Sequence, residues 1–130
     1  MASSKIKGFW KQQPTKAATD AVSVLSFVGS FDPTSASQIS LGFLPNGARP
    51  IGVICLGGAT GGTNPTVDIG SGSNDDGFAN ELDADAAYTE GGSGALTGVV
   101  LTVDTEVFGK VGASAATGGT TTVIIQYIMA

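Results

Sequence analysis

The chain has 130 residues, enough for one domain with a real core, and it is 42% hydrophobic but only 13% charged, with 20 glycines. That much apolar content excludes a disordered chain, and so few charges mean the apolar surface is buried in a core or against other subunits. The net charge of −5 is unevenly spread: Lys5, Lys7, Lys11 and Lys16 put four positive charges and no acid in the first 16 residues, while the remainder sets Arg49 and Lys110 against eleven acids, or −9.

Residues 1–20 read as an extended basic arm preceding a body over 21–130. Pro14 forbids a helix through the middle of this stretch, and its large apolar groups are Ile6, Phe9 and Trp10. Two readings stand side by side, a disordered tail and a docking arm. On the second, Phe9 and Trp10 anchor the arm, because a buried aromatic contributes roughly 1.5–3 kcal/mol while an exposed lysine pair gives about 0–1 kcal/mol. Lys5, Lys7, Lys11 and Lys16 then steer it towards an acidic neighbour.

The body reads as strands separated by small-residue loops. Ala21–Gly29 is the first strand, with Val22, Val24, Ser26 and Val28 on one side and Ser23, Leu25 and Phe27 on the other. The cluster from Phe31 to Ser35 is a turn. Gln38–Leu44 alternates with Ile39, Leu41 and Phe43 on its apolar side. Pro45-Asn46-Gly47 is strong turn chemistry, and Pro50 opens a strand over Ile51–Leu56, with Ile51, Val53 and Cys55 on one face. Gly57–Pro65 lacks the lysine and the strand-to-helix transition of a phosphate-binding loop and reads as a flexible hairpin connection. Thr66–Gly70 is a strand with Val67 and Ile69 inward and Asp68 outward.

Ser71–Thr89 is acidic, and Phe78 and Leu82, four apart, predict one or two helical turns over the sheet. Asn74-Asp75-Asp76-Gly77 invites calcium, with Asp75, Asp76 and Asp83 as candidate ligands. The EF-hand spacing is not met, so the expectation is a solvated acidic loop and no assigned metal site. Ala95–Val103 and Thr105–Val111 read as strands, Ala113–Gly119 as a loop. Thr120–Met129 is the most apolar strand, and its two apolar faces predict a central strand packed on both sides. About seven to eight strands with almost no helix predict an all-β protein, a jelly-roll-like β-sandwich of antiparallel strands.

No chemistry is visible. There is no histidine, which removes the commonest general base and most zinc sites. No nucleophile–base pair can be named, and the carboxylates of one acidic run need not face a common cleft as glycoside hydrolysis requires. No enzyme and no cofactor is expected. The one cysteine, Cys55, fits assembly in a reducing cytoplasm. The first residues carry no secretory signal, and no run approaches the about 20 apolar residues of a membrane span. Four arm lysines without arginine give only backbone attraction to nucleic acid, so no specific nucleic-acid partner is expected.

The turn Leu44-Pro45-Asn46-Gly47-Ala48-Arg49 with its apolar strand, then Thr66-Val67-Asp68-Ile69-Gly70, the acidic loop with Gly77-Phe78 and the terminal Thr121-Thr122-Val123-Ile124-Ile125-Gln126-Tyr127-Ile128, resembles small structural proteins of tailed bacteriophages over residues 38–130. The resemblance implies a capsid decoration (cement) protein or another virion surface component. Such a protein would bind the major capsid protein lattice, as a homo-oligomer (trimer or dimer), on the capsid surface of a virion assembled in the host cytoplasm. Lys5, Ile6, Lys7, Phe9, Trp10, Lys11 and Lys16 are the expected partner-binding residues, on the charge and aromatic argument alone. The alternative is a receptor- or glycan-binding module of a phage fibre, spike or other tail component.

Overall fold

The computed structural model describes residues 23–92 and 94–130. The proposed arm, with Lys5, Ile6, Lys7, Phe9, Trp10, Lys11 and Lys16, lies outside the described residues. Among those described, ten strands form: β1 Leu25–Phe31, β2 Ile39–Leu44, β3 Ala48–Leu56, β4 Ala59–Thr60, β5 Thr66–Gly70, β6 Ala79–Asp83, β7 Thr89–Gly91, β8 Thr105–Val111, β9 Gly118–Gly119 and β10 Thr121–Met129. Eight of them build two four-stranded antiparallel sheets, β1-β10-β3-β7 and β2-β8-β5-β6, and the two-residue strands β4 and β9 pair with each other.

The strand order has a simple logic. Leaving aside β4 and β9, the first strand pairs with the last, the second with the seventh, the third with the sixth and the fourth with the fifth. That is a long hairpin rolled up on itself, the jelly-roll arrangement of a sandwich. Every connection but the one from β5 to β6 therefore crosses between sheets, and the loops gather at two ends. One end holds residues 32–38, 57–65, 84–88 and 112–120, tied by Gly57 N–H to the Ala86 carbonyl (2.9 Å), Ala59 N–H to Ala84 (3.1 Å), and Ala116 N–H to Pro33 (2.9 Å). The other holds residues 45–47, 71–78 and 92–104, tied by Gly47 N–H to the Leu101 carbonyl and Leu96 N–H to the Gly77 carbonyl, both 2.7 Å.

The core lies between the sheets. Phe31, Val53, Cys55, Val123 and Ile125 face it from the first sheet, and Leu44, Val67, Ile69, Leu82 and Val107 from the second. Full burial of such side chains contributes roughly 1.5–3 kcal/mol each. The hydroxyl of Thr121, fully buried, donates to the Ala84 carbonyl at 3.1 Å, so its polarity is satisfied.

Several expectations are corrected here. Of the strand expected over Ala21–Gly29, Ala21 and Val22 lie outside the described residues; β1 starts at Leu25 and runs on through Phe31, which is core rather than turn, because Gly109 on the facing sheet leaves room for its ring. β2 carries a bulge between Ser40 and Gly42, where Gly42 takes a φ of +133°. The extra residue reverses the phase, burying Leu44 and leaving Phe43 60% exposed instead of inward. A second bulge, opposite Gln126 and Tyr127, turns Ile51 out and Pro50 in, and β3 starts at Ala48 rather than at Pro50. The turn Pro45-Asn46-Gly47 closes as expected, with Ala48 N–H donating to the Pro45 carbonyl at 3.1 Å, but it links the two sheets rather than a hairpin.

The glycine loop 57–65 is likewise an inter-sheet crossing and not a hairpin, held by the β4–β9 ladder. The helical turns expected at Phe78 and Leu82 are a strand instead. Phe78 sits in the bend just before β6, and a bulge between Val67 and Ile69 sets Leu82 opposite Val67 and Ala79 opposite Ile69, so Phe78 and Leu82 both reach the core without a helix. Ala95–Val103 is a turn and a coil, since Gly98 at φ +79° breaks the extension. Its backbone lies along β3, with Leu101 N–H to the Ala48 carbonyl (2.8 Å) and Gly98 N–H to Pro50 (2.7 Å).

Candidate interaction surfaces

The two outer faces of the sandwich differ in chemistry, and the difference follows from strand register. On the first sheet one row of outward side chains crosses all four strands: Val28, Ile124, Ile54 and Glu90 stand side by side in the ladder. The row beside it is Ser30, Thr122 and Leu56, and the row on the other side Ser26, Gln126 and Gly52. Past the bulge, Ile51 and the pair Arg49–Ile128 continue the same face. Val28 is 60% exposed, Ile51 45% and Leu56 37%, and Ile54, Ile124 and Ile128 are half-buried. Arg49 and Glu90 are the charges in these rows, Arg49 near the start of β3 and Glu90 on the neighbouring edge strand β7. Glu90 also accepts the Tyr88 hydroxyl at 2.8 Å, which raises the Tyr88 pKa.

β10 is central in its sheet, as expected; its inner residues pack in the core, and among the described residues nothing lies over its half-buried outer side. The sequence signal of this face is the two-sided apolarity of Val28, Ile54 and Ile124.

The outer face of the second sheet is acidic. Glu106, Phe108 and Lys110 point outward from β8, with Asp68 beside Lys110. Ser40 Oγ donates to Glu106 at 2.6 Å, Lys110 Nζ pairs with Asp75 at 2.6 Å, and Glu81 N–H donates to Asp68 at 2.8 Å. Glu81 takes a φ of +50° at the β6 bulge. Partial burial raises the Asp68 pKa against that hydrogen bond, helped by the charges of Asp75, Asp76 and Glu81. The Lys110 pKa is raised, first by its bond to Asp75. Phe43 lies exposed on this face and Tyr88 beside the other, so these two aromatic side chains form no common platform.

The acidic candidates are not brought together. Asp75 is engaged by Lys110, while Asp83 sits at the far end of β6, where a hydrogen bond shared with Asp85 is the first cause of its raised pKa. Among the described residues no group of three His, Cys, Asp or Glu side chains stands close enough to hold a metal ion, and no pocket opens in the surface. Cys55 is buried, its Sγ 3.5 Å from the Asp83 carbonyl. Burial first, and the charge of Asp83 second, push its thiol up to about 11.

What the described residues present is a jelly roll without a cleft, with one apolar and one acidic outer face. That fold is shared with chains of phage capsids. The protein matches a chain of the cyanophage Pam1 capsid asymmetric unit with a TM-score of 0.64 and 22% identity, covering 85% of this chain and 88% of that one. A chain in the capsid of Ralstonia phage GP4 matches with a TM-score of 0.61 and 22% identity, over 85% and 86% of the two chains. A third, in the acidic stable capsid structure of Helicobacter pylori bacteriophage KHP30, matches with a TM-score of 0.62 and 16% identity, over 84% and 90%. No protein-family model and no curated protein matches the chain.

Proposed function

We propose that this protein is a structural component of a tailed-phage head, a decoration (cement) protein that binds the outer surface of the major capsid protein lattice as a homo-oligomer and holds neighbouring capsomers together. The observation that carries the reading is the likeness to capsid chains over most of both chains, a whole-domain match rather than a shared motif. The chemistry is consistent with it. The described residues open no pocket, and such a surface suits flat protein contacts better than a small substrate. Attachment runs through residues 1–20: Lys5, Lys7, Lys11 and Lys16 steer the segment onto acidic capsid surface, and Ile6, Phe9 and Trp10 anchor it by burial.

The test is reconstitution. Purified full-length protein is mixed with heads that lack it, and bound protein is measured after sedimentation. Saturable binding at a fixed ratio to the major capsid protein is expected, weakened at least tenfold by the pair Phe9→Ala and Trp10→Ala. Failure to bind heads overturns the reading, and undiminished binding of the double variant overturns the role of the arm.

A further inference from the structure

The outer face of β1-β10-β3-β7 is the largest feature that the reading above leaves unused. Its middle row is Val28, Ile124 and Ile54, neighbours across three strands. Exposed apolar patches of this kind mark interaction sites, since a lone exposed side chain is ordinary but a contiguous row is not. We propose that two copies of this chain pack against each other through this face, sheet on sheet.

Three observations choose a second copy as the occupant. The face carries Arg49 on β3 and Glu90 on the neighbouring edge strand β7, opposite Ile54, so the two charges are offset along the strands. A twofold axis lying across the strands brings Arg49 of each copy towards Glu90 of its partner, so the face is self-complementary in charge. The opposite outer face carries Asp68, Glu81 and Glu106, with Lys110 already engaged by Asp75, and would meet its own copy with an excess of like charge. The area is also adequate. Strands of seven to nine residues in three of the four positions, at about 3.3 Å per residue and about 4.8 Å between strands, give a face of about 500 Å² per copy. That is about 1,000 Å² for the pair, the lower limit of a specific interface. The association is therefore weak and concentration-dependent, and is strengthened when copies are held side by side on a particle. The inference rests on the reading of this protein as a symmetric assembly.

Sedimentation velocity of the full-length protein over a range of concentrations tests it, in the absence of heads. A monomer–dimer equilibrium is expected. Val28→Glu, which puts a charge at the centre of the face, is expected to weaken it at least tenfold. Arg49→Glu and Glu90→Arg each weaken it, and the double reversal restores it, a rescue that general damage to the fold does not produce. The pair Phe9→Ala and Trp10→Ala leaves it unchanged. A protein that stays monomeric at every concentration, a dimer indifferent to Val28→Glu and to both reversals, or a dimer lost with Phe9 and Trp10 overturns the proposal, the last by assigning the face to the arm. Since the readout involves no capsid, a dimer that fails to bind heads counts against the decoration role alone, and a monomer that binds them counts against this interface alone.

Discussion

Cys55 shows how a single residue takes its chemistry from its place. Its position on the inner face of β3 removes it from water, and burial with the nearby Asp83 charge pushes its pKa to about 11. A thiol held protonated at neutral pH is a poor nucleophile. A disulfide reagent at pH 7.5 is expected to leave Cys55 unmodified in the native protein and to titrate one thiol in denaturant; rapid native reaction would contradict its burial. Gly109 is the complementary case. A Cβ there would run into the ring of Phe31, itself 5% exposed. Gly109→Ala is expected to cost about 1–3 kcal/mol by overpacking, read from the urea midpoint. Gly52→Ala is the control: a Cβ there meets only Gln126 Oε1 at 3.8 Å, and the midpoint is expected to stay put.

At the scale of elements, the pattern of side chains predicted strands better than it predicted their faces. Val67 and Ile69 face inward as read, and Thr105–Val111 is a strand with the bounds expected. The errors fall at bulges. One extra residue at Leu41 sends Phe43 to solvent, and another exposes Ile51, because a period-two pattern carries no mark of where the count slips. The glycine loops were visible as loops, but whether a loop joins neighbours in a sheet or crosses to the other sheet is decided by long-range pairing. Of the candidate site, the basic arm is read from its charge and its aromatic residues, whereas the apolar outer face is visible as two-sided hydrophobicity and takes the register to become a surface. The two sides of β10 make that distinction measurable. Ile125→Ala, on the fully buried inner side, is expected to cost about 2–5 kcal/mol in chemical denaturation, and Ile124→Ala clearly less. Equal losses would mean that both sides are packed within one subunit.

For the whole molecule, the charge distribution sets the response to pH. The carboxyls of Asp68 and Asp83 have pKa values raised above the ordinary 3.8. A raised carboxyl pKa means the folded state binds the proton more tightly than the unfolded state, so stability increases as pH falls through the raised value towards 3.8. The loss of negative charge from a chain at −5 acts in the same direction. The melting temperature is therefore expected to hold or rise between pH 7 and about 4.5. Asp68→Asn, whose side-chain oxygen can still accept the Glu81 N–H, is expected to raise the melting temperature at pH 7 and to lose that advantage as the pH approaches 4. A melting temperature falling steadily from pH 7 would contradict this balance.

On the proposed reading, the protein's work is to bind other proteins in a large regular particle. The most direct measurement is its copy number in purified virions, by quantitative mass spectrometry against the major capsid protein. The account predicts a constant ratio between preparations that survives repeated density-gradient purification. A ratio that varies from one preparation to the next, or absence of the protein from the virion, would contradict it.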